Sequence, residues 1–365
     1  MQRLHEGIDA LPAKPPLGLL VADDHYIERI WGGDHLKSLF NKPLPKDKPI
    51  GEAWLVSDHP IHTTVCNYTN GQSIRLSEAM NQNPIGLLGT VAKATPDGRF
   101  PLLLKLLDAT DVLSMQVHPD DATARRLGEP DLGKTEMWYV LEARKGSRLY
   151  CGLDPSVNRT ECTRSLANIE AMVKSFEASA GDTVFVPAGT VHAIGAGLVL
   201  AEIQQNSDIT YRLHDWNRVD AKGSPRELHL EKSMEAIAFG RSHPGLNSPL
   251  SFNDAFGERT VLSACSKFAA ERVPANTTII RRTHGRSFQI VLSTSSPATV
   301  STDVEVVTIS PATAVIVPAS LDRYQITSSA STLVYYVPDI ELDIVDPLRL
   351  AGHSMVDIES LGVSI

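Results

Sequence analysis

The sequence lacks most of what would tie it to a membrane, to nucleic acid or to an oxidising compartment. Near the N-terminus the one apolar stretch, Leu17 to Ala22, is far short of the roughly 20 residues that cross a bilayer. It follows a weakly charged start with no cleavage-like site and runs into Asp23-Asp24, so it reads as a first strand and not as a signal peptide. No run of Lys or Arg reaches four residues, and the formal net charge is −9. Nucleic acid and anionic membrane are therefore excluded as expected partners. The cysteines (Cys66, Cys151, Cys162 and Cys265) lie far apart and form no CxxC, which argues against a zinc–thiolate site or a redox pair. Free thiols in a reducing compartment fit better, and the cytoplasm is the expected location.

What is present is ordinary in bulk and specific in places. A chain of 365 residues, 42% hydrophobic and 21% charged, is long enough for two domains with cores of their own. An acidic total does not prevent a few local Lys or Arg from binding a small phosphorylated ligand. From Pro101 the sequence is strand-rich: PLLLKLLDA, DVLSMQVHP and EMWYVLEA follow in turn. Leu166, Ile169, Met172, Val173 and Phe176 recur at spacings of three and four, which predicts a short helical insertion capped by Ser165. A second helix is predicted over Leu228 to Phe239, closed by Gly240. Residues 240–257 read as a linker. Beyond it, short Val-, Ile- and Thr-rich runs predict an all-β second domain. The expected division is 1–240 for a catalytic domain and 241–365 for a degenerate β-domain.

The stretch from Ser114 to Trp138 carries the chemistry. If 112–118 and 134–142 are strands, period-two alternation puts Gln116 and His118 on one face, and Lys134 and Glu136 on one face of the other. Imidazole, carboxylate and amide oxygen converging in this way suit a divalent metal, and His192 is a good fourth donor. An internal echo supports a duplicated β-unit: ATAVIVPASLDRYQI at 312–326 parallels GDTVFVPAGTVHAI at 181–194. Laid on Pro187 and Pro318, the echo matches His192 with Arg323. Likewise GRSFQIVL at 285–292 parallels KTEMWYVL at 134–141 and matches Glu136 with Ser287, so the second copy has no liganding side chains.

The run Gly181-x5-Pro187-x-Gly189-x2-His192 is similar to the second conserved motif of the cupin fold, with Ala196 where Asn is usual. With QVHP, GKTE, VPAGTVHA, EIQQNSDITYR, ERIWGG and IGEAWLVSDHP added, the chain closely resembles the type I mannose-6-phosphate isomerases, in their short bacterial form, from about Glu28 to Phe239. Two departures stand out. Thr135 replaces a frequent Pro, and Asp215 with its neighbours differs from the pattern of the long forms.

The resemblance implies a mainly β fold of two cupin-type β-barrel (jelly-roll) domains with short helical insertions. It implies one zinc ion per chain held by Gln116, His118, Glu136 and His192, and interconversion of mannose 6-phosphate and fructose 6-phosphate through a cis-enediol. Lys134, Asp208 and Arg212 are implied as acid–base and positioning groups, and Lys105, Ser114 and Arg218 as phosphate contacts. Arginine is a poor general base, so Lys134 or Asp208 is favoured for the carbon-bound proton. The expected partner is a small sugar phosphate, and the chain is expected to be a monomer or homodimer. Glu202 is expected to orient a ligand or to form a core ion pair, and the four tryptophans are given no role. Another cupin sugar-phosphate isomerase and a non-enzymatic sugar-sensing cupin are the rival readings.

Overall fold

The computed structural model describes residues 17–219, 223–243 and 245–363. Its architecture is mainly β. A six-stranded antiparallel sheet has the order Thr183–Val186, Glu136–Ala143, Leu198–Gln205, Leu102–Ala109, Ile50–Val56, His25–Gly33. A five-stranded sheet has the order Val173–Glu177, Arg148–Leu153, His192–Ile194, Met115–Val117, Tyr211–His214. The central strands Leu102–Ala109 and Leu198–Gln205 are buried along their whole length, which is why they read as nearly unbroken apolar runs. Lys105 and Glu202 interrupt those runs and lie opposite one another in the ladder. Asp108, the other charge on these strands, lies opposite Val199 and pairs with His35 instead.

The second half of the chain repeats this plan. Ala314–Val317, Gln289–Ser293, Thr332–Tyr336, Ala269–Val273, Gly257–Ala264 and Leu250–Asp254 neighbour one another in the same order as the first six strands. Thr277–Arg282, Arg323–Ser328, Ala298–Ser301 and Val306–Ile309 reproduce four strands of the five-stranded sheet. The duplication heard in the sequence is therefore a duplication of topology. The repeats are not cleanly separated, because Leu20–Ala22 pairs with Ala314–Val317 and extends the second repeat's sheet through Val65–Asn67 and Ser73–Arg75. One apolar cluster likewise joins Leu20, Phe100 and Met137 to Phe288, Ile316 and Tyr335. We propose residue 240 as the boundary between repeats; the core is continuous across it.

The helical insertions differ in detail from expectation. Arg159–Arg164 is an α-helix whose first turn is capped by Asn158, which accepts from the Glu161 N–H at 3.0 Å. A single 3-10 turn, Leu166–Asn168, and Ile169–Met172 follow, and then the chain straightens into Val173–Glu177. Val173 and Phe176 thus sit on a strand. Their helical spacing was outweighed by pairing with Arg148–Leu153, and Ser165 caps nothing with its side chain. The later helix is shorter than predicted, Leu230–Ala236. Leu250–Asp254 is a strand, so the linker ends before it. Among the described residues no helix is long and apolar enough to cross a membrane.

The Phe100 and Phe288 rings lie 4.3 Å apart at the seam of the repeats, and both side chains are fully buried. Phe288→Ala is expected to cost about 3–5 kcal/mol, read as a lower denaturant midpoint. Because the core is continuous, both repeats are expected to melt together in one shifted transition.

Candidate metal centre

Side chains from the two N-terminal sheets meet between them. Met115–Val117 and His192–Ile194 pair so that Gln116 lies opposite His192. Glu136 opens the facing strand of the other sheet. The hairpin that delivers His192 turns at Gly189, whose φ of +88° suits glycine, and a Cβ there would come within 2.9 Å of Ala238. The Gly189 N–H donates to the His118 carbonyl at 2.8 Å, tying the two histidine segments together. His192 Nδ1 faces the Thr190 carbonyl at 2.9 Å, so Nδ1–H donates there and the Nε2 lone pair is turned inward.

The result is a compact cluster. His192 Nε2 is 3.3 Å and His118 Nε2 is 3.5 Å from the two oxygens of Glu136. One ligand atom from each of His118, Glu136 and His192 lies within 4.8 Å of the others. All three are buried. Both ring nitrogens of His118 and both oxygens of Glu136 are buried without a hydrogen-bond partner. Burial, reinforced by Lys134, lowers the His118 pKa to about 3, and burial lowers that of His192. Neutral imidazoles beside an ionised carboxylate, all short of partners, are the donor set of a divalent cation. The Gln116 amide nitrogen faces His192 Nε2 at 3.2 Å. A half-turn of the amide presents its oxygen to the same point.

A cavity of about 340 Å³ opens beside the cluster. Of the residues singled out by sequence, Ser114, Gln116, Lys105, Lys134, Asp208 and Arg212 line it. Lys134 Nζ is 3.2 Å from Glu136 and 3.9 Å from Glu202. Burial opposes its charge, but Glu136, Glu202 and Asp208 outweigh burial and raise its pKa. Lys105 is ringed by Glu52 at 3.6 Å, Asp208 at 3.5 Å and Glu202 at 3.9 Å, and lies over the Trp54 ring. Asp208 is fixed through its N–H to Asp131, which also holds His59. Arg212 donates to the Glu227 carbonyl at 2.8 Å.

Arg218 stands apart from these. Its guanidinium binds Asp215, Asp111 and the Val112 carbonyl, and it does not line the cavity. Arg226, paired with the same Asp215, does. Arg29 and Glu52 also line the cavity and were missed, although alternation on His25–Gly33 and Ile50–Val56 gives each a face. Two tryptophans have work to do: the indole N–H groups of Trp54 and Trp138 donate to Glu52 at 2.7 Å and to Glu202 at 3.1 Å. Glu202 is thus held by Trp138 between Lys105 and Lys134, and burial together with Glu136 pushes its pKa up to about 7. Thr135 uses a backbone N–H that proline lacks, donating to Gln205 at 3.1 Å.

Comparison with known proteins agrees with this geometry. The profile of the phosphomannose isomerase type I catalytic domain matches residues 19–146. The mannose-6-phosphate isomerase ManA of Bacillus subtilis is 40% identical over 212 residues, which is 58% of this chain and 65% of that protein. The mannose-6-phosphate isomerase of Streptococcus mutans is 37% identical over 216 residues, 59% of this chain and 66% of the relative. These alignments span slightly less than two thirds of the relatives' length. The crystal structure of the Bacillus subtilis mannose 6-phosphate isomerase superposes with a TM-score of 0.79 at 27% identity, covering 87% of this chain and 99% of that one. The catalytic-domain profile, the sequence relatives and the superposition thus agree in likening this chain to the type I phosphomannose isomerases.

Proposed function

We propose that the chain is an aldose–ketose isomerase that interconverts mannose 6-phosphate and fructose 6-phosphate through a cis-enediol. The observation that carries this reading is the His118–Glu136–His192 cluster, in which His118 and Glu136 lack hydrogen-bond partners, adjoining through Gln116 and Lys134 a cavity lined with lysines, arginines and carboxylates. Gln116, His118, Glu136 and His192 would hold one zinc ion per chain. Zinc supplies Lewis acidity to the sugar oxygens at C1 and C2. Four free, buried cysteines fit a reducing cytoplasm. All four proposed ligands come from one chain, and the protein would work as a monomer or a homodimer.

The chain's own groups divide the remaining work. Asp208, a carboxylate on the cavity wall, takes the proton from C2 and returns it to C1. Lys134, a cation among three carboxylates, donates a proton to O1 as the enediol forms and takes the O2 proton as the ketone forms, so the hydroxyl proton passes from O2 to O1 while the carbon-bound one passes from C2 to C1. Arg212 positions the sugar. Ser114 and the cavity cations Lys105 and Arg226 receive the phosphate by charge-assisted hydrogen bonds. Arg218 acts behind them by pinning Asp215, the shared partner of Arg226.

Three measurements test this. Metal analysis is expected to find one divalent ion per chain, lost in Glu136→Ala. Chelation should lower the melting temperature, and zinc at 100 times its Kd should restore about 2.7 kcal/mol. A retained ion in the alanine variant would remove the proposed ligand set.

In a coupled isomerase assay, mannose 6-phosphate should turn over and unphosphorylated mannose should not. Glu136→Ala should lose roughly 10³-fold or more in kcat. Equal rates on both sugars would overturn the phosphate contacts.

Asp208→Asn should lower kcat by roughly 10²–10⁴-fold and abolish exchange of the C2 hydrogen with deuterated solvent. Lys134→Met should slow turnover but keep that exchange. The reverse pattern would make Lys134 the base.

A further inference from the structure

The second repeat has its own half-open cavity of about 680 Å³ between its sheets and the C-terminal helices. The hydrogen-bond register says which residues stand where. Glu136 pairs with Val186, just before Pro187, and Gln289 pairs with Val317, just before Pro318. Gln289, and not Ser287, therefore occupies the place of Glu136. Two residues along the neighbouring strands, Glu271 occupies the place of Lys105 and Arg259 that of Glu52. The turn after Pro318 is one residue longer than that after Pro187. Arg323 is consequently exposed, and buried Tyr324, paired with Arg281, stands where His192 pairs with Gln116.

These residues do not resemble a stripped core. Gln289 Oε1 accepts from the Tyr324 hydroxyl and from Arg281 Nε. Glu271 is fully buried and accepts from Arg259, from Arg281 Nη1 at 2.7 Å and from the Tyr336 hydroxyl. Burial opposes the charge on Glu271, but the two guanidinium groups hold its pKa well below the ordinary carboxylate range. Two arginines thus share one carboxylate. Arg281 is only 5% exposed, yet it lines the cavity, and its Nη2 has no protein partner among the described residues.

The lining adds to this. Four arginines, Arg259, Arg281, Arg282 and Arg286, line the cavity. Each already has a carboxylate partner: Glu271 for Arg259 and Arg281, Asp322 for Arg282 and Asp343 for Arg286. On its outer side Phe252, Phe256 and Leu342 give an apolar wall. A buried guanidinium with an unused edge, in an arginine-lined pocket with one apolar side, suits a planar or tetrahedral oxyanion on a short carbon frame.

We propose that the second repeat's cavity binds a small organic oxyanion, a phosphate monoester or a carboxylate of similar size, through the free edge of Arg281. Its carbon frame lies on the Phe252 and Phe256 side. The site is separate from the His118–Glu136–His192 cluster, and the proposal stands whether or not the isomerase reading does.

Calorimetric titration of the full chain with inorganic phosphate, glycerol 3-phosphate and succinate tests it, compared with Arg281→Gln. A binding event that weakens at least about tenfold in the variant is expected, since a charged hydrogen bond is worth roughly 1.5–3 kcal/mol. Preference for glycerol 3-phosphate over succinate identifies the phosphate class, and the reverse preference identifies the carboxylate class. Identical titrations for parent and variant with all three probes overturn the proposal. Should Arg281→Gln fail to fold, crystals of the unmodified chain soaked in tungstate decide the matter. An anomalous peak beside Arg281 supports the site, and peaks confined to the first cavity overturn it.

Discussion

Charge buried between two β-sheets is the constraint on which the rest of this structure depends. Moving an ionised group out of water costs several kcal/mol unless an opposite charge or a full set of hydrogen bonds answers it. In the first repeat Lys105, Lys134, Glu52, Glu136 and Glu202 are all nearly or fully buried. Glu52 is answered by Arg29, Lys105 and the Trp54 indole, and Glu202 by the two lysines and the Trp138 indole. Glu136 is left with Lys134 on one side and two imidazoles that burial keeps neutral. Its oxygens lack hydrogen-bond partners, and a divalent cation would complete the set.

The second repeat solves the same constraint without an ion. The pair Lys105–Glu52 is replaced by Glu271–Arg259, the same salt bridge with its charges exchanged. Glu136, His192 and Gln116 give way to Gln289, Tyr324 and Arg281, in which donors and acceptors satisfy one another directly. A neutral amide accepts where a carboxylate had to be neutralised. Duplication followed by this exchange explains why the two halves share strand order while only one holds a cluster of ligand atoms.

The sequence made the site more legible than the fold. Alternation along the strands at 115–117 and 136–143 was enough to turn Gln116 and Glu136 toward one another's sheet, because side-chain direction in a strand follows from parity, whereas Lys134 lies just before its strand and reaches the cavity through its contact with Glu136. Pairing between distant segments was not legible. Nothing local shows that Leu20–Ala22 lies against Ala314–Val317, or that Val173 and Phe176 leave a helix to join a ladder. Arg218 was favoured on the resemblance, six residues beyond Arg212, and Arg226 was missed; both bind Asp215, and which of the two faces the cavity is decided by the loop's path. The echo between repeats was right in kind but slipped by two residues at Ser287 and by one at Arg323. An extra turn residue cannot be located without the hydrogen-bond register.

A cavity crowded with like and unlike charges is a poor source of stability, and the molecule places its stability elsewhere. The large apolar cluster lies on the other side of the central strands, where Leu102, Leu104, Leu106, Ala201 and Ile203 pack toward Phe100, Phe288 and Tyr335. Alternation on one strand therefore serves two masters: even residues of Leu102–Ala109 join the common core, while Lys105 faces the site. The second repeat contributes 12 of the 38 buried residues of that core, so it helps to hold the strands that keep the first repeat's charged groups out of water. The dependence runs through the strands themselves. A degenerate second repeat is thus retained for a physical reason that does not require it to do chemistry, and its own cavity is free to take up a different ligand.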